Sequence, residues 1–445
     1  MKKRNINIGL IGWGTVGTGV ARILLNQDKF IRGHERLSLK LCKIADLDIT
    51  TPRGIDIDKS ILTTDINDVI NNPEIDIVVE LIGGLKPASN FIFSALKSGK
   101  HVVTANKAVL AAHGKELFQT AKENNVLIKF EASVGGCIPI INSLIEGMAA
   151  NNIHAIYGIV NGTCNYILTQ MSQRGIDFDV ALKEAQAKGY AEAKPDTDIK
   201  GIDAANKIVI LTSLAYETEI KLDDIYIEGI TEITQNDIQY AREFGYQIKL
   251  LAIAKLLDGN KIQVRVHPTM IPEDTMLASV DGVFNAIYVL GNATGATMFY
   301  GRGAGQMPAA SAVVGDAIAI AKCMIAGTDP YLLPQPTLEN TIYALKPMEE
   351  CESRYYIRLQ VIDKPGGLAQ VAGILGKYNI SIASVIQKGH GSEESVPVVM
   401  MTHEAVEKNI QSAIKEIDAL DVVKDKTMMI RVESMEGEEE SLAIV

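Results

Sequence analysis

The chain has 445 residues, 47% hydrophobic and 22% charged, an ordinary globular composition with room for about three domains. Its 43 basic and 54 acidic residues leave a net charge of −11, which argues against a surface that tracks nucleic-acid phosphates. The five cysteines (Cys42, Cys137, Cys164, Cys323, Cys351) are scattered and include no C-x-x-C, so free thiols in a reducing, cytoplasmic setting are expected, and neither a disulfide framework nor a zinc site.

The basic start Met1-Lys2-Lys3-Arg4 lacks the long apolar run of a signal peptide. Ile6 to Ile11 instead reads as a buried strand that enters Gly12-Trp13-Gly14-Thr15-Val16-Gly17 and then a helical pattern over 20–25. This is G-x-G-x-x-G between strand and helix. Gly12 permits the turn, Gly14 lets the backbone approach a pyrophosphate, and Gly17 lets helix and strand pack closely. Strands are expected at 39–45, 75–82, 101–104 and 126–131, with helices at 88–97 and 108–124, the alternation of a doubly wound dinucleotide-binding domain. Asp46 ends the second strand, where an acid would bond an adenosine ribose, although a plain turn aspartate is the alternative. It follows Gly17 by 29 positions where ~20 is usual, which requires a long first helix or a long exit from it. Ala45 offers no cation to a 2′-phosphate, while Lys43 and Arg53 are close in sequence; NAD is favoured, with NADP tolerated.

Polar stretches then interrupt apolar surroundings, as a site requires. Thr104-Ala105-Asn106-Lys107 follows a strand end, and Glu131 to Pro139 closes the last strand in a glycine turn. Asn161-Gly162-Thr163-Cys164-Asn165-Tyr166 reads as another polar turn. Asp203 and Lys207 share one face of an apolar helix and, taken alone, are an exposed i,i+4 pair worth about 0.3 kcal/mol. The apolar stretch 309–326 carries Asp316 and Lys322, so no membrane span is expected.

Together, Ala185, Gly189, Pro195, Asp198, Gly201, Asp203 and Lys207, with the Asn161–Tyr166 run and Phe299-Tyr300-Gly301-Arg302-Gly303-Ala304-Gly305, resemble the homoserine dehydrogenases over residues 5 to about 330. Lys194 and Arg302 depart from the family pattern. The resemblance implies reversible reduction of L-aspartate 4-semialdehyde to L-homoserine by NADH or NADPH. It assigns Lys207 as proton donor and places Lys107 beside substrate and cofactor. Glu192 and Asp203 would hold the substrate amino group, with Asp198 and Gly189 nearby. Gly12, Gly14, Thr15, Val16, Gly17, Asp46, Thr104, Lys107 and Gly303 would contact the cofactor. A sodium ion would take Glu131 and the carbonyls of Val134, Gly136 and Ile138. Cys137 suggests a thiohemiacetal mechanism instead, but no histidine lies near it in sequence to serve as its base.

Prolines at 330, 334, 336 and 347 mark a linker. Beyond it, strands at 355–361, 380–386, 396–401 and 427–432, with helices at 368–378 and 405–417, give a βαββαβ order. Asp363-Lys364-Pro365-Gly366-Gly367-Leu368 and Asn379-Ile380 look like an ACT domain, which implies an amino-acid effector, threonine, bound near Asp363, Gly366, Leu368, Asn379 and Ile380 in a homodimer or homotetramer. Gly367 stands where that family often has an apolar side chain. The expected fold class is α/β: an N-terminal Rossmann domain (1–132), an α+β catalytic and dimerisation domain (133–333), a linker (334–353), a ferredoxin-like ACT domain (354–433) and a frayed acidic end from Glu433 through the tail (434–445). Removing residues 354–445 is expected to leave an active, threonine-insensitive enzyme. Another Rossmann-type semialdehyde or hydroxy-acid dehydrogenase, or an idle amino-acid sensor, are the alternatives.

Overall fold

The computed structural model describes residues 4–31, 37–328, 335–339, 342–387 and 395–435. Residues 436–445 of the expected tail, and Pro330 and Pro334 of the expected linker, lie outside them.

The first unit is a parallel sheet of six strands: β1 (Arg4–Ile11), β2 (Leu37–Ala45), β3 (Leu62–Thr63), β4 (Ile77–Glu80), β5 (His101–Thr104) and β6 (Ile128–Lys129). Their order, β3-β2-β1-β4-β5-β6, is that of a doubly wound dinucleotide fold. The central strands are largely apolar because helices cover both faces: β4 is buried throughout and Ile6, Ile8, Leu10 and Ile11 of β1 are buried, while β2 alternates, with Lys40 exposed between Leu39 and Leu41. Around them lie α1 (Thr15–Leu25), α2 (Gln27–Phe30), α3 (Asn67–Ile70), α4 (Ala88–Lys97) and α5 (Lys107–Glu123). The first helix has an ordinary length, so the extra residues before Asp46 sit in its exit, where α2 adds a short turn.

The middle of the chain supplies α6 (Ile140–Asn142), β7 (Ile153–Ile159), α7 (Gly162–Arg174), α8 (Phe178–Ala187), α9 (Asp196–Ile199), α10 (Ile202–Ala215), β8 (Tyr226–Ile227) and α11 (Gln235–Glu243). Next come β9 (Tyr246–Leu257), β10 (Lys261–Pro272), β11 (Phe284–Gly291), β12 (Gly295–Arg302) and the long helix α12 (Gln306–Ala326). By length and composition α12 is apolar enough to cross a membrane. It packs instead on α1: Ala310, Val313, Val314, Ala317 and Ile320 join the core cluster of Ile8, Leu10, Val20 and Leu24. The contact is close enough that a Cβ on Gly19 would stand 2.8 Å from that of Ala310. Asp316, on this helix, is buried and accepts the Glu131 N–H at 2.8 Å.

After β13 (Ala344–Leu345), the last unit runs β14 (Glu352–Ile362), α13 (Gly367–Lys377), β15 (Ile382–Gln387), β16 (Ser395–Thr402), β17 (Ala405–Val406), α14 (Glu407–Ile417) and β18 (Met428–Val432). Its strand order β18-β14-β16-β15 is ferredoxin-like, as expected from the βαββαβ pattern. What the pattern does not announce is that β18 also pairs in parallel with β10, at Thr269–Arg431 and Met270–Val432. One mixed sheet therefore runs through both units, in the order β12-β11-β7-β9-β10-β18-β14-β16-β15.

Charged side chains are buried along this seam. Arg431, 1% exposed, donates to Glu407 and to Glu228 (2.7 Å), and its Nη2 reaches the Tyr226 hydroxyl. Arg358 of β14 and the Tyr356 hydroxyl bond Asp237, which completes the capping box of α11 with Thr234. Glu433, expected as the start of a frayed end, is buried and pairs with Arg265 and Lys255. The cause is the strand pairing, since the Glu433 N–H still bonds the Met270 carbonyl.

His267 lies in the same layer, wholly buried, its Nε2 accepting from Arg265 Nε at 3.0 Å. Burial, with Arg431 and Arg265 nearby, holds its pKa well below that of a free imidazole. The unfolded chain then takes up this proton first, so stability falls as the pH drops through about 6.5. His267→Gln is expected to flatten that fall between about pH 6.5 and 5, as read by urea denaturation across the range.

Candidate active site

The glycine loop has the geometry its sequence implies. Gly12 has φ +96°, and a Cβ there would strike the Leu81 backbone at 2.7 Å; at Gly17 it would meet the Gly12 carbonyl at 2.1 Å. Gly14 has open space on all sides, and the N-terminus of α1 has no side-chain cap. Free N–H groups beside an exposed glycine suit a pyrophosphate, so the residues fit a dinucleotide. Thr15 is exposed in the same loop and Val16 reaches the cleft described below.

Asp46 follows β2 and accepts the Trp13 N–H, which ties it to the loop at the expected ribose position. Arg53 lies over the Trp13 ring at 4.9 Å, bonds the Asp48 carbonyl at 2.7 Å, and keeps a buried Nε without a partner among the described residues. Arg53, close to Asp46 in sequence, thus also stands close to the glycine loop in space.

A cleft of about 600 Å³ opens between the two sheets, lined among others by Val16, Lys107, Glu192, Asp198, Lys207 and Gly303. At its base the Asp203 carboxylate bridges two lysines, Lys107 Nζ at 2.5 Å from Oδ1 and Lys207 Nζ at 2.7 Å from Oδ2. The Asp203–Lys207 pair is buried, not exposed as the spacing alone suggested, because Val160 and Asn161, just before α7, and Lys107 of α5 close over this face of α10. Lys207 also donates to the Val160 carbonyl at 2.6 Å, which spends two of its three N–H bonds. Burial holds the Lys207 ammonium below its ordinary pKa; Asp203 opposes this and the Lys107 charge adds to it. Burial would raise Asp203, but Lys207 and Lys107 hold it well below the usual carboxylate range.

Asn161 organises this corner. Its Nδ2 donates to Asp198 at 2.7 Å and to Asp203 at 2.9 Å, while its Oδ1 accepts the Cys164 N–H and caps α7. The Asn161–Tyr166 stretch is thus the start of a buried helix and not a turn. The overlooked signal was an asparagine in the N-cap position before a helical run. Asp198 is raised by burial, with the Asn161 bond opposing and the Asp203 charge adding to the shift.

Glu192 is exposed at the cleft mouth beside Gly189. Thr104, in contrast, is wholly buried and donates to Glu80 at 2.8 Å, so the cleft wall there is Ala105 and Lys107. Cys137 is exposed, with Sγ 3.8 Å from the Arg302 carbonyl, and all five cysteines are free. Arg302 ends β12 and lies over the Phe284 ring at 5.6 Å.

Glu131 is buried and accepts the Ile141 and Asn142 N–H groups at 2.8 and 2.9 Å, capping α6. Each oxygen keeps a further lone pair, and with the carbonyls of Val134, Gly136 and Ile138 the set consists of oxygens alone, the class a hard cation takes. Among the described residues no cluster of three His, Cys, Asp or Glu side chains is arranged for a metal.

In the C-terminal unit Gly366 has φ +89° and Asn379 φ +57°, so both shape loops. Asp363 accepts from Gln387 at 3.3 Å, Leu368 is 39% exposed, and Ile380 turns into the core. A Cβ on Gly367 would sit 3.3 Å from Val361, so a larger residue there would crowd the first strand.

Comparison with known proteins agrees along the chain. Residues 139–318 match the family profile described as homoserine dehydrogenase, residues 12–131 its NAD binding domain, and residues 355–422 the ACT domain. A homoserine dehydrogenase of Neisseria gonorrhoeae is 45% identical over 433 residues, covering 97% of this chain and 99% of the relative. One from Helicobacter pylori is 45% identical over 98% of this chain and 100% of its own length. The crystal structure of a homoserine dehydrogenase from Thiobacillus denitrificans superposes with a TM-score of 0.88 at 43% identity, covering 97% of this chain and 99% of that one. A hyperthermophilic archaeal homoserine dehydrogenase, solved with NADPH, aligns with 72% of this chain and 98% of its own at TM-score 0.60 and 29% identity.

Proposed function

This chain belongs to the homoserine dehydrogenase family, and we propose that it interconverts L-aspartate 4-semialdehyde and L-homoserine through the buried Lys107–Asp203–Lys207 cluster. It is an oxidoreductase with an NAD-binding domain and an ACT domain. The observation that carries the assignment of roles is the single carboxylate holding two ammonium groups at the base of the cleft.

The reduced nicotinamide supplies the hydride. As it reaches the aldehyde carbon, negative charge grows on the carbonyl oxygen, and a positioned cation and proton donor stabilise it. Lys207 fills both roles: Val160 and Asp203 take two of its N–H bonds, and the third serves the substrate oxygen. Burial lowers its pKa, which brings the proton donor closer to the physiological range. In homoserine oxidation the neutral Lys207 amine takes the hydroxyl proton back. Asp203 holds both lysines, so the substrate ammonium falls to Glu192, with Asp198 behind it. The first N–H groups of α7, at Gly162 and Thr163, line the cleft and suit the substrate carboxylate.

For the cofactor, Asp46 serves the ribose hydroxyls and Arg53 the 2′-phosphate of NADP, so both cofactors are used. Arg53→Ala is expected to raise the KM for NADP about tenfold or more and leave that for NAD within about twofold, read from initial rates of homoserine oxidation. A sodium ion held by Glu131 with the carbonyls of Val134, Gly136 and Ile138 would brace the turn that closes the cleft. The ACT domain takes threonine at Asp363, Gly366, Leu368, Asn379 and Ile380 in a homo-oligomer. The deciding experiment is the rate of L-homoserine oxidation with NAD and NADP, with and without threonine. Turnover slowed by threonine supports the reading; folded protein that binds NADH and turns over no homoserine overturns it.

A further inference from the structure

Two buried polar side chains that line the cleft have no partner among the described residues. Ser133 follows β6 at the end of the parallel sheet, and Asn285 lies on β11. Asn285 is 1% exposed, yet neither its Nδ2 nor its Oδ1 makes a hydrogen bond. A buried amide left wholly unpaired forfeits its hydration without return, so one that survives in a cleft calls for a ligand. Its setting is equally specific. A Cβ on Gly303 would fall 2.0 Å from Asn285 Nδ2, so only glycine at 303 leaves this amide its place. Gly303 in turn abuts Gly136 of the turn after β6, whose Cβ would stand 2.8 Å from the Gly303 carbonyl.

The chemistry of the occupant follows from position. In the order β3-β2-β1-β4-β5-β6 the adenosine end lies over β2, at Asp46, so the far end of the dinucleotide lies over β4 to β6. The cleft wall at that end is Ala105, Ala132 and Ser133, and Asn285 with Gly303 forms the opposite wall. The substrate end is served by charges, those of Lys107, Lys207, Asp203, Asp198 and Glu192. Asn285 is neutral and offers a donor and an acceptor side by side. The nicotinamide carboxamide presents the complementary acceptor and donor on one planar group.

We propose that Asn285 recognises the nicotinamide carboxamide through a reciprocal amide pair, and so sets which face of the ring meets the substrate. This rests on the dehydrogenase reading above and names a positioning residue within it. The test compares wild type with Asn285→Leu and Asn285→Ser by calorimetric binding of NADH and of ADP-ribose, which lacks the nicotinamide ring. Both variants are expected to bind NADH at least tenfold more weakly and ADP-ribose as wild type does. The Asn285 side-chain amide makes no hydrogen bond among the described residues, so Asn285→Leu is also expected to keep or raise the melting temperature of the unliganded enzyme. Homoserine oxidation is then followed with NAD and with its 3-acetylpyridine analogue, in which a methyl ketone replaces the carboxamide. The wild-type preference between the two should collapse in the variants while the KM for homoserine stays put. Equal weakening of NADH and ADP-ribose, or a change confined to the KM for homoserine, would overturn the proposal. Should wild type fail to oxidise homoserine, the functional reading falls, and the NADH and ADP-ribose comparison still decides the role of Asn285.

Discussion

Lys207→Ala is expected to lower kcat for homoserine oxidation by about 10²–10⁴, the range a positioned general acid–base contributes, while NADH still binds. The separation of effects follows from position: Lys207 lies on α10 at the base of the cleft, and the glycine loop and Asp46 belong to a different domain. Loss of NADH binding in this variant would show the lysine misassigned. The pH profile supplies a second readout. Oxidation needs the neutral amine, so the rate rises with pH through the Lys207 pKa, which burial sets below the ordinary lysine value. Asp203 raises that pKa, so Asp203→Asn should move the rising limb to lower pH, along with a smaller kcat from the loosened lysines. A limb unmoved in Asp203→Asn would mean that another group is titrating.

Deletion of residues 354–445 is expected to yield an unstable, aggregating fragment, in place of the active and threonine-insensitive enzyme that the linear order of domains suggested. The fragment would expose the edge of β10, which β18 covers, and would strip Arg265 of Glu433 and Glu228 of Arg431. An uncovered strand edge invites pairing with other chains, and an uncompensated buried charge costs about 3–5 kcal/mol. The point variant isolates the second cause. Arg431→Ala leaves Glu407 and Glu228 without their cation and is expected to cost about 3–5 kcal/mol in urea denaturation, with a midpoint well below wild type. A soluble, active fragment 1–353 would show that the seam contributes little to stability. A wild-type midpoint for Arg431→Ala would show that the buried pairs are dispensable.

The seam also reaches toward the cleft. Arg431 of the ACT unit bonds Glu228, and the segment after Glu228 lies hard against α9: a Cβ on Gly229 would stand 2.1 Å from the Ile199 carbonyl, and the Ile230 N–H bonds that same carbonyl. Asp198 precedes Ile199, and the helix bearing Asp203 and Lys207 begins three residues after it. Packed contacts therefore run from β18 to the start of the helix that carries both residues.

Local pattern was enough for most of the elements. Helix α4 and strand β5 fall where the residue types put them, and the βαββαβ order emerged whole, because a 3.6- or 2-residue period and a glycine stop act within a few positions. The glycine loop was equally legible, since φ > 0 at Gly12 and contact at Gly17 are demands on single residues. The spacing of Asp203 and Lys207 put them on one helix face, but not in a buried cluster with Lys107, which comes from a helix about a hundred residues earlier.

What the sequence by itself determined is the set of elements, the dinucleotide loop and the residue types that carry the chemistry, each set by neighbours a few positions away. What only the tertiary structure decided depends on partners far apart in the chain: Arg265 with Glu433 at a separation of 168 residues, Arg431 with Glu228 at 203, and α12 folded back onto α1. Burial turned Glu433 from an expected tail residue into one half of an ion pair, and left Asn285 an unpaired amide on the cleft wall. Burial is a property of the whole packed chain, and that is why no local pattern announced either one.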